Sequence, residues 1–473
     1  MNSLLPKSEL ICSFLDIDFF STVSDSDLDS YKFIDSEKIH YTDLFLKDLW
    51  DEKHVNFTEN KPSLHYCPRF FFNDTKNPPF KINKDVNKEI NSMLTIADKI
   101  RNGFFGEITD ILHIGTGGSH LGAEMIYDCF KYKLKGPKLH FFSNVDPLKL
   151  SSIQNSLNPN TSLCIVVSKS FNTIETITTF NRIKLWFKNH KFSDQDINKK
   201  IIAVTSNSNN ALKHNLLHDN IVKFNNSIGG RYSIWSAANL ITPTLFGKTF
   251  FKNFLLGGYQ VDIHMSDHLL QSIPFKMAKR SYYSRLIRNE YAHCIVPYSD
   301  NLKFLPLYLQ QLVMESNGKS IDRNDQNIIS PCSNTYGYIG TDVQHSFFQS
   351  LHQSTLNTSI DLIAFKNIYE DITLIDKKFD EQAFSLLLNS CFSQFHALKD
   401  GSKTNVLQNQ HREVKGRKNV NLILIDKLTE TTLGNILCLY EYKTIIEASL
   451  SKVNPFDQFG VELGKTILNK SFK

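Results

Sequence analysis

Hydrophobic residues follow two repeating patterns that alternate along the chain. Short apolar runs such as DILHIG, LCIVV and KIIAVTS are bounded by polar turns and predict buried strands. Between them, apolar residues recur every three or four positions, which predicts amphipathic helices that begin near Ser119 and Thr173. From residue 110 to residue 245, this alternation predicts a parallel sheet covered by helices on both faces.

The same alternation starts again after residue 290. HCIVPYS, IDLIAFKN and NLILID predict strands, and helices are expected to end near residue 317 and to span 379–397. The first part of the chain instead carries helical patterns around a proline-broken middle. The predicted division is a helical arm over 1–94, two α/β domains over 95–245 and 246–436, and C-terminal helices over 437–473.

Composition and charge exclude several classes of protein. The 473 residues are 41% hydrophobic, enough to bury sizeable cores. The net charge of +5 is too small over this length to predict a nucleic-acid surface. No run approaches the ~20 apolar residues that a membrane-spanning helix requires, and the N-terminal apolar stretch is broken by charges and lacks a cleavage site. We therefore expect a cytoplasmic protein with neither nucleic-acid nor membrane partners.

Cysteine spacing indicates no metal site. The eight cysteines stand far apart, with no C-x-x-C pair and no other metal-ligand spacing. We expect reduced thiols and no bound metal.

A phosphate site is expected where the strand LCIVV ends. Ser168, Lys169 and Ser170 follow this strand, and a helix is expected to begin at about Thr173. Ligands of open parallel sheets bind beyond the carboxyl ends of the strands, and a helix start offers free N–H groups and a positive dipole end. With hydroxyls and a lysine added, the segment suits a terminal phosphate monoester. The alternative is that Asn172 simply caps the helix.

A glycine-rich loop, HIGTGGSHLG, also joins a strand to a helix. It departs from the dinucleotide fingerprint because G-x-G-x-x-G would need a glycine where His120 stands. A nicotinamide site remains an alternative, since Asp146 ends the next strand near where a ribose-binding acid would lie. Gly118 and Ser119 would allow the backbone to approach a polar ligand closely, whatever that ligand is.

Two further motifs carry candidate polar chemistry. In IGGRYSIWSA, two glycines precede Arg231 and leave room for its guanidinium to enter a cleft. In LYLQQLVMESNGKS, Gln311 and Glu315 stand four residues apart and are expected to share one helical face. Glu315 falls in the last turn of that helix, where the dipole disfavours a negative charge and increases basicity. A structural arginine and a solvated glutamate are the alternatives.

His345 and the C-terminal segment offer proton-transfer groups. His345 is expected in the first turn of a helix that begins with GTDVQH, where the dipole favours a neutral imidazole able to exchange a proton near pH 7. His352, two turns on, is the competing histidine. In FDQFGVELGK, Gln458 and Lys465 stand two helical turns apart and would line one face of a helix. An ordinary amphipathic terminal helix is the alternative there.

Together these motifs resemble the glucose-6-phosphate isomerases, also called phosphoglucose isomerases. IGGRYSIWSA and FDQFGVELGK resemble two signatures of that family over their whole length. GGSHLG, SKSFNTIET, QQLVMESNGK and GTDVQHSF are similar to its other blocks, in the same order. The resemblance covers nearly everything except the N-terminal arm and a polar loop at 399–419. It implies two sugar-isomerase (SIS) domains, each a mainly parallel sheet flanked by helices, and a reaction without metal or organic cofactor.

The resemblance also implies a substrate and a set of binding residues. The implied reaction is the interconversion of glucose 6-phosphate and fructose 6-phosphate, a step of glycolysis and gluconeogenesis. The family's substrate-binding positions are matched by Gly118, Ser119, Ser168, Lys169, Ser170, Thr173, Gln311 and Gln458. His120 stands where the family more often has an aspartate. A broader isomerase that also accepts mannose 6-phosphate, or a non-catalytic SIS-domain sensor of sugar phosphates, remains an alternative.

The catalytic roles follow from the same resemblance. Glu315 matches the base that moves a proton between C2 and C1 through a cis-enediolate. Arg231 matches the cation that stabilises the developing oxyanion, and His345 and Lys465 match the groups that shuttle protons during ring opening. In the family, the counterpart of His345 comes from the partner subunit, so a homodimer is implied.

Overall fold

The computed structural model describes residues 4–73, 79–368, 375–402 and 410–471. Part of the polar loop expected at 399–419 therefore lies outside the described residues. The chain divides into two compact units. We call Trp50–Glu52 with Ser63–Gln260 the central unit, and Met1–Leu49, Lys53–Pro62 and Val261–Lys473 the terminal unit.

The described residues form eleven strands and seventeen α-helices. The strands are β1 (Leu10–Phe14), β2 (Ile17–Ser21), β3 (Asp110–Ile114), β4 (Lys138–Phe142), β5 (Ser162–Val167), β6 (Ile201–Thr205), β7 (Ile221–Lys223), β8 (Ala292–Pro297), β9 (Asn334–Gly337), β10 (Thr358–Phe365) and β11 (Val420–Ile425). The helices are α1 (Asp25–Ser30), α2 (Ser36–Trp50), α3 (Lys84–Arg101), α4 (Leu121–Phe130), α5 (Pro147–Ile153), α6 (Ile174–Asn189), α7 (Asp194–Lys199), α8 (Ser208–Leu212), α9 (Ile241–Phe246), α10 (Lys248–Asp267), α11 (Ile273–Leu286), α12 (Leu305–Asn317), α13 (Gly340–Val343), α14 (Phe348–Gln353), α15 (Lys377–Asp400), α16 (Glu430–Leu450) and α17 (Glu462–Ser471).

The sheet of the central unit is entirely parallel, in the order β4-β3-β5-β6-β7. From β3 the chain moves to β4 on one side and then returns to β5 on the other. The strand order therefore reverses between β3 and β5, and ligands of such sheets bind in the crevice at this reversal. Both loops predicted to contact a ligand follow these two strands, so the topology brings them to the same edge.

The strands of the central sheet are buried on both faces. Every residue of β3, β5 and β6 is buried, which explains why continuous apolar runs predicted them. Cys164 and Val166 of β5 pack in one core with Phe180, Trp186 and Phe187 of α6. This packing fixes α6 on the sheet, and with it the loop that joins β5 to α6.

The terminal unit contains a mixed six-stranded sheet, in the order β1-β2-β11-β10-β8-β9. β11, β10, β8 and β9 are parallel, whereas β1 and β2 are antiparallel to their neighbours. Val296, Leu362 and Leu424 of this sheet share a core with Phe392 and Phe395 of α15. Two largely parallel sheets flanked by helices confirm the predicted fold class.

Three observations complete the fold. β1 and β2 lie within residues 1–94, where the sequence pattern predicted helices and no strand. The eight cysteines, all within the described residues, form no disulfide with one another. In the part of the chain that the structure describes, no helix combines the length and the apolar character needed to cross a bilayer.

Candidate active site

The segment 168–173, which we call the phosphate loop, joins β5 to α6 in the central unit. α6 begins at Ile174, and Thr173 is its N-cap residue without a side-chain capping hydrogen bond. The oxygen of the Asn172 side chain accepts instead from the Ser170 hydroxyl. The N–H groups of the first helical turn are therefore not consumed by a side-chain cap, which suits an anion.

The neighbouring strand holds the backbone of the phosphate loop. The Lys169 carbonyl oxygen accepts from Thr205 Oγ1 at 3.0 Å, from Ser206 Oγ at 2.7 Å and from the Ser206 N–H at 3.0 Å. The Asn210 side-chain amide donates to the Ser170 carbonyl at 2.9 Å. These hydrogen bonds fix the backbone of the phosphate loop to the end of β6 and to α8. All three supporting side chains stand more than thirty residues further along the chain, so no local pattern in the sequence marks them.

Phe171 fixes the centre of the same loop. Its φ is +48°, in the left-handed region that side chains other than glycine seldom occupy. Its ring is buried and lies 6.1 Å from that of Phe180 and 5.7 Å from that of His214, while its N–H donates to Ser168 Oγ. Burial of the ring offsets the backbone strain, which is of order 1 kcal/mol. Strain held in this way is common at ligand-binding loops.

The glycine loop (115–120) lies against the segment 229–233, which carries Arg231. A Cβ atom on Gly118 would stand 2.1 Å from the carbonyl carbon and oxygen of Gly230, so the two backbones touch. Ser233 Oγ joins them by donating toward the Gly230 oxygen at 2.7 Å and the Gly118 oxygen at 3.3 Å. Arg231 is 1% exposed, with its guanidinium 5.3 Å from the Tyr232 ring centre. The structure thus brings Arg231 beside Gly118 and Ser119, as a shared role would require.

Two histidines stabilise the glycine loop, His113 from β3 and His120 within the loop itself. His113 Nε2 lies 2.9 Å from the Ser119 carbonyl oxygen. Because a carbonyl only accepts, Nε2 carries the proton, and Nδ1 has no hydrogen-bond partner among the described residues. Burial lowers the pKa of His113 to about 4, so the ring is neutral at pH 7. His120 is buried, with its Nε2 3.0 Å from Glu124 Oε2.

In the terminal unit, Glu315 lies in the last turn of α12, as predicted. Gln311 Nε2 donates to Glu315 Oε2 at 3.1 Å, which confirms that the two share a helical face. Glu315 lines a cavity of about 610 Å³ together with Thr58, Lys319 and Gln458. That volume is within the usual range for small-molecule sites. Glu315 and Gln458 thus face the same cavity, as the sequence assignment requires.

His345 was expected in the first turn of a helix, and this expectation is wrong. α13 ends at Val343, and His345 lies in the turn that follows it, with an exposed side chain. The reason is packing: Val343 and Phe348 both enter the core of the terminal unit. In a continuous helix, residues five apart point about 140° away from each other, and the break between Val343 and Phe348 lets both side chains reach the core.

Gln458 and Lys465 do not lie on one face of a single helix. Gln458 has φ −155° and precedes a short 3₁₀ turn, and α17 begins only at Glu462. The segment before Gln458 is held in a non-helical conformation because Phe456 stacks on Phe45 in the core. Lys465 is exposed on α17 and is not among the residues that line the cavity described above.

Known proteins resemble this chain over most of its length. The family model described as "Phosphoglucose isomerase" matches residues 22–472. The glucose-6-phosphate isomerase of Buchnera aphidicola subsp. Cinara cedri (strain Cc) is 33% identical over 455 residues, covering 91% of this chain and 81% of that protein. The glucose-6-phosphate isomerase of Bartonella bacilliformis (strain ATCC 35685 / KC583 / Herrer 020/F12,63) is 34% identical over 451 residues, with 89% and 80% covered.

Solved structures show the same fold. A glucose-6-phosphate isomerase from Chlamydia trachomatis D/UW-3/Cx superposes with a TM-score of 0.84 at 24% identity, covering 98% of this chain and 90% of that one. A tagatose-6-phosphate ketose/aldose isomerase from Escherichia coli gives a TM-score of 0.50 at 12% identity, with 82% and 93% covered. From the family match over nearly its whole length and the relatives above 30% identity, the chain belongs to the phosphoglucose isomerase family.

Proposed function

We propose that this chain is an enzyme that interconverts glucose 6-phosphate and fructose 6-phosphate in the cytoplasm. Family membership supports the reaction, and one structural observation carries the assignment of the base. Glu315 lines a cavity of sugar size, with Gln311 and Gln458 as neighbouring polar groups. An aldose–ketose isomerisation moves the C2 proton to C1 and the proton of the C2 hydroxyl to the C1 oxygen, and a positioned carboxylate can carry out the transfer between the two carbons.

The phosphate group would be bound by the phosphate loop. Ser168, Lys169, Ser170 and Thr173 are the candidate contacts, and the start of α6 adds N–H donors and a positive dipole end. Gly118 and Ser119 would contact the sugar through the backbone. The hydrogen bonds that Thr205 and Ser206 donate to the Lys169 carbonyl support this assignment. A loop whose backbone is already fixed loses less conformational entropy when the anion binds.

Chemistry on the sugar requires an open chain, because the C2 proton of a closed pyranose is not acidic. We assign His345 and Lys465 to proton transfer at the ring oxygen and the C1 hydroxyl. Glu315 then removes the proton from C2 and returns it to C1 through a cis-enediolate, and general base catalysis contributes ~10²–10⁴-fold. Arg231 would stabilise the developing oxyanion, which a well-placed donor does by ~3–4 kcal/mol.

We further propose that the enzyme is a homodimer in which His345 acts in the partner's site. The exposed position of His345 supports this assignment. So does α17, which carries Lys465 and also exposes Leu463 and Ile467 at 70% and 57%. Exposed apolar side chains on a helix are typical of a surface that another subunit covers.

The experiment that tests the function is conversion of fructose 6-phosphate to glucose 6-phosphate, coupled to glucose-6-phosphate dehydrogenase, with EDTA present. Turnover by the wild-type chain and its loss in Glu315→Gln would support both the reaction and the base. Mannose 6-phosphate is assayed in parallel to test for a broader isomerase. Binding of fructose 6-phosphate without any turnover by the wild type would instead identify a sugar-phosphate sensor.

A further inference from the structure

We propose that Lys319 is a positioning residue that fixes Glu315, the catalytic base of the function proposed above. The inference therefore rests on that function. Lys319 stands two residues beyond the end of α12 and lines the same cavity as Glu315. Its ammonium contacts the main chain of the helix end rather than serving as an acid or base. It ties this end to a second segment of the terminal unit.

The ammonium of Lys319 is surrounded by five protein oxygens. On the helix side, Nζ lies 3.1 Å from the Glu315 carbonyl oxygen and 2.5 Å from that of Ser316. On the other side, it lies 2.7 Å from the Asn454 carbonyl oxygen, 3.1 Å from that of Asp457 and 3.2 Å from Asp457 Oδ1. An ammonium has three N–H groups, so the five oxygens share its protons. Moving either segment would therefore disturb several hydrogen bonds at once.

A cation such as the Lys319 ammonium stabilises the carboxyl end of α12. The last four carbonyls of a helix lack partners within the helix, and they form the negative end of its dipole. A lysine that donates to two of them satisfies these acceptors and complements the charge. Glu315 belongs to this same last turn, so its backbone is fixed by the contact. A fraying last turn would instead let its carboxylate drift from the substrate.

The second segment gives a stable reference because it is anchored independently. Asp457 Oδ2 accepts from Thr58 Oγ1 at 2.6 Å. The Asn454 amide donates to Thr58 Oγ1 at 2.7 Å and to Asn56 Oδ1 at 2.8 Å. None of these three bonds involves the lysine. The ammonium therefore joins the end of α12 to a segment that is already held, and that segment leads directly into Gln458.

The body of α12 has its own anchor. The Gln310 side-chain amide donates to the Thr335 carbonyl of β9 at 3.0 Å, and Leu309 and Leu312 are buried. The last residue of the helix, Asn317, is also held, since its side-chain amide donates to the Thr444 carbonyl and to Glu447 Oε2 of α16, each at 3.1 Å. Removing the lysine is therefore expected to leave the helix docked and to loosen only the main chain at Glu315 and Ser316, whose carbonyls lose their donor. This separates an effect on the base from an effect on folding.

The test uses Lys319→Ala, with Lys366→Met as the matched control. Lys366 is a half-buried lysine paired with Asp18 at 2.7 Å elsewhere in the terminal unit. We expect Lys319→Ala to lower kcat by ~10–100-fold, since misplacing a catalytic group by about 1 Å has effects of this size. KM for fructose 6-phosphate and inhibition by inorganic phosphate should stay within about twofold, because phosphate-loop residues are untouched. Lys366→Met should keep wild-type kcat.

Rescue distinguishes positioning from a merely structural role. Adding n-propylammonium to Lys319→Ala should restore part of kcat, because it refills the missing chain and its N–H donors. Tetramethylammonium at the same concentration should not, because it has no N–H group to donate. If Lys319→Ala fails to fold, Asp457→Asn is assayed instead, and a fall in kcat without a change in KM is expected.

The outcomes separate this inference from the proposed function. Wild-type turnover tests the function itself. If the wild type is active and Lys319→Ala keeps its kcat, or loses affinity with kcat intact, the positioning role is overturned while the isomerase assignment stands. Loss of kcat that both cations restore equally would show an ionic-strength effect and would also overturn it.

Discussion

Gly118 and Gly230 touch through their backbones, and a Cβ on Gly118 would stand 2.1 Å from the carbonyl of Gly230. This contact places the glycine loop directly beside the segment that carries Arg231. The Ser233 hydroxyl donates to the Gly230 carbonyl at 2.7 Å, with the Gly118 carbonyl 3.3 Å away, and so links the two loops. A side chain at position 118 would push the two loops apart. The position of the Arg231 guanidinium relative to Ser119 therefore depends on Gly118.

Gly118→Ala is expected to displace one of these loops and to abolish most of the isomerase activity. The added methyl group overlaps backbone atoms, which cannot rotate away as a side chain could, and overpacking of this kind destabilises by ~1–3 kcal/mol. Coupled turnover and thermal unfolding are measured together. Gly136→Ala is the control because nothing lies within 4 Å of its Cβ position. Equal activity of the two variants would refute a functional contact.

Glu315→Gln should lower kcat by ~10²–10⁴-fold while fructose 6-phosphate still binds. The amide keeps the shape of the side chain and its neighbour Gln311 but cannot accept the C2 proton. Binding of fructose 6-phosphate is followed by calorimetry, and exchange of the C2 proton of glucose 6-phosphate with solvent deuterium is followed by NMR. Glu107→Gln, at an exposed glutamate outside the helices and strands, is the control. A Glu315→Gln variant that exchanges the proton at the wild-type rate would require another base.

Stability should fall on acidification in a way that depends on His113. Burial lowers the pKa of His113 to about 4 in the folded chain, against ~6.5 in the unfolded chain. The unfolded chain therefore binds more protons between these values. The contribution of His113 is fully present above pH ~6.5 and is lost as the pH falls through about 4, by an amount on the order of 3 kcal/mol.

His113→Gln should flatten this part of the stability profile, because glutamine does not titrate but can still donate to the Ser119 carbonyl. The free energy of unfolding is measured by urea titration from pH 4 to pH 8. His218→Gln is the control, since that side chain is 82% exposed. Parallel profiles for wild type and His113→Gln would show that His113 does not carry the pH dependence.

A subunit-complementation assay tests whether His345 acts in the partner's site. Glu315→Gln and His345→Gln chains are expressed together, so that heterodimers form alongside inactive homodimers. If the histidine is donated across the interface, one site of each heterodimer contains both intact residues. Activity should then recover to about one quarter of the wild type, as random pairing of two chains predicts. No recovery, with heterodimers demonstrated by differently tagged chains, would place both residues in the same subunit.

The fold could be predicted from sequence largely because its strands are buried. β3, β5 and β6 are apolar throughout, and turn residues bound them clearly. β1 and β2 were missed because Asp16 and Asp18 interrupt their apolar pattern and because they pair at the edge of a sheet whose other strands are hundreds of residues away. The four-part division at residues 94, 245 and 436 stays a prediction.

In the candidate site as well, contacts between residues close in sequence were predicted, and contacts between residues far apart in sequence were missed. Gln311 and Glu315 were paired correctly because four-residue spacing is a property of the helix itself. The helix expected to begin at Gly340 is present as α13, but it ends at Val343 and leaves His345 in the turn that follows. The supports of the Lys169 carbonyl were not predicted, since their side chains stand at least 36 residues away. The contacts of Lys319 with Asn454 and Asp457, 135 and 138 residues away, were missed for the same reason.

The pairing of β2 with β11 has a consequence for synthesis of the protein. Phe20 lies opposite Leu422 in this antiparallel pair, so the sheet of the terminal unit joins residues from near both ends of the chain. On the ribosome, the five strands of the central unit, all within residues 110–223, are complete long before β11 has been made. β1 and β2 can pair with each other, but the other edge of β2 stays unpaired until residues 420–425 have been made, and β2 is the segment we expect to need a chaperone.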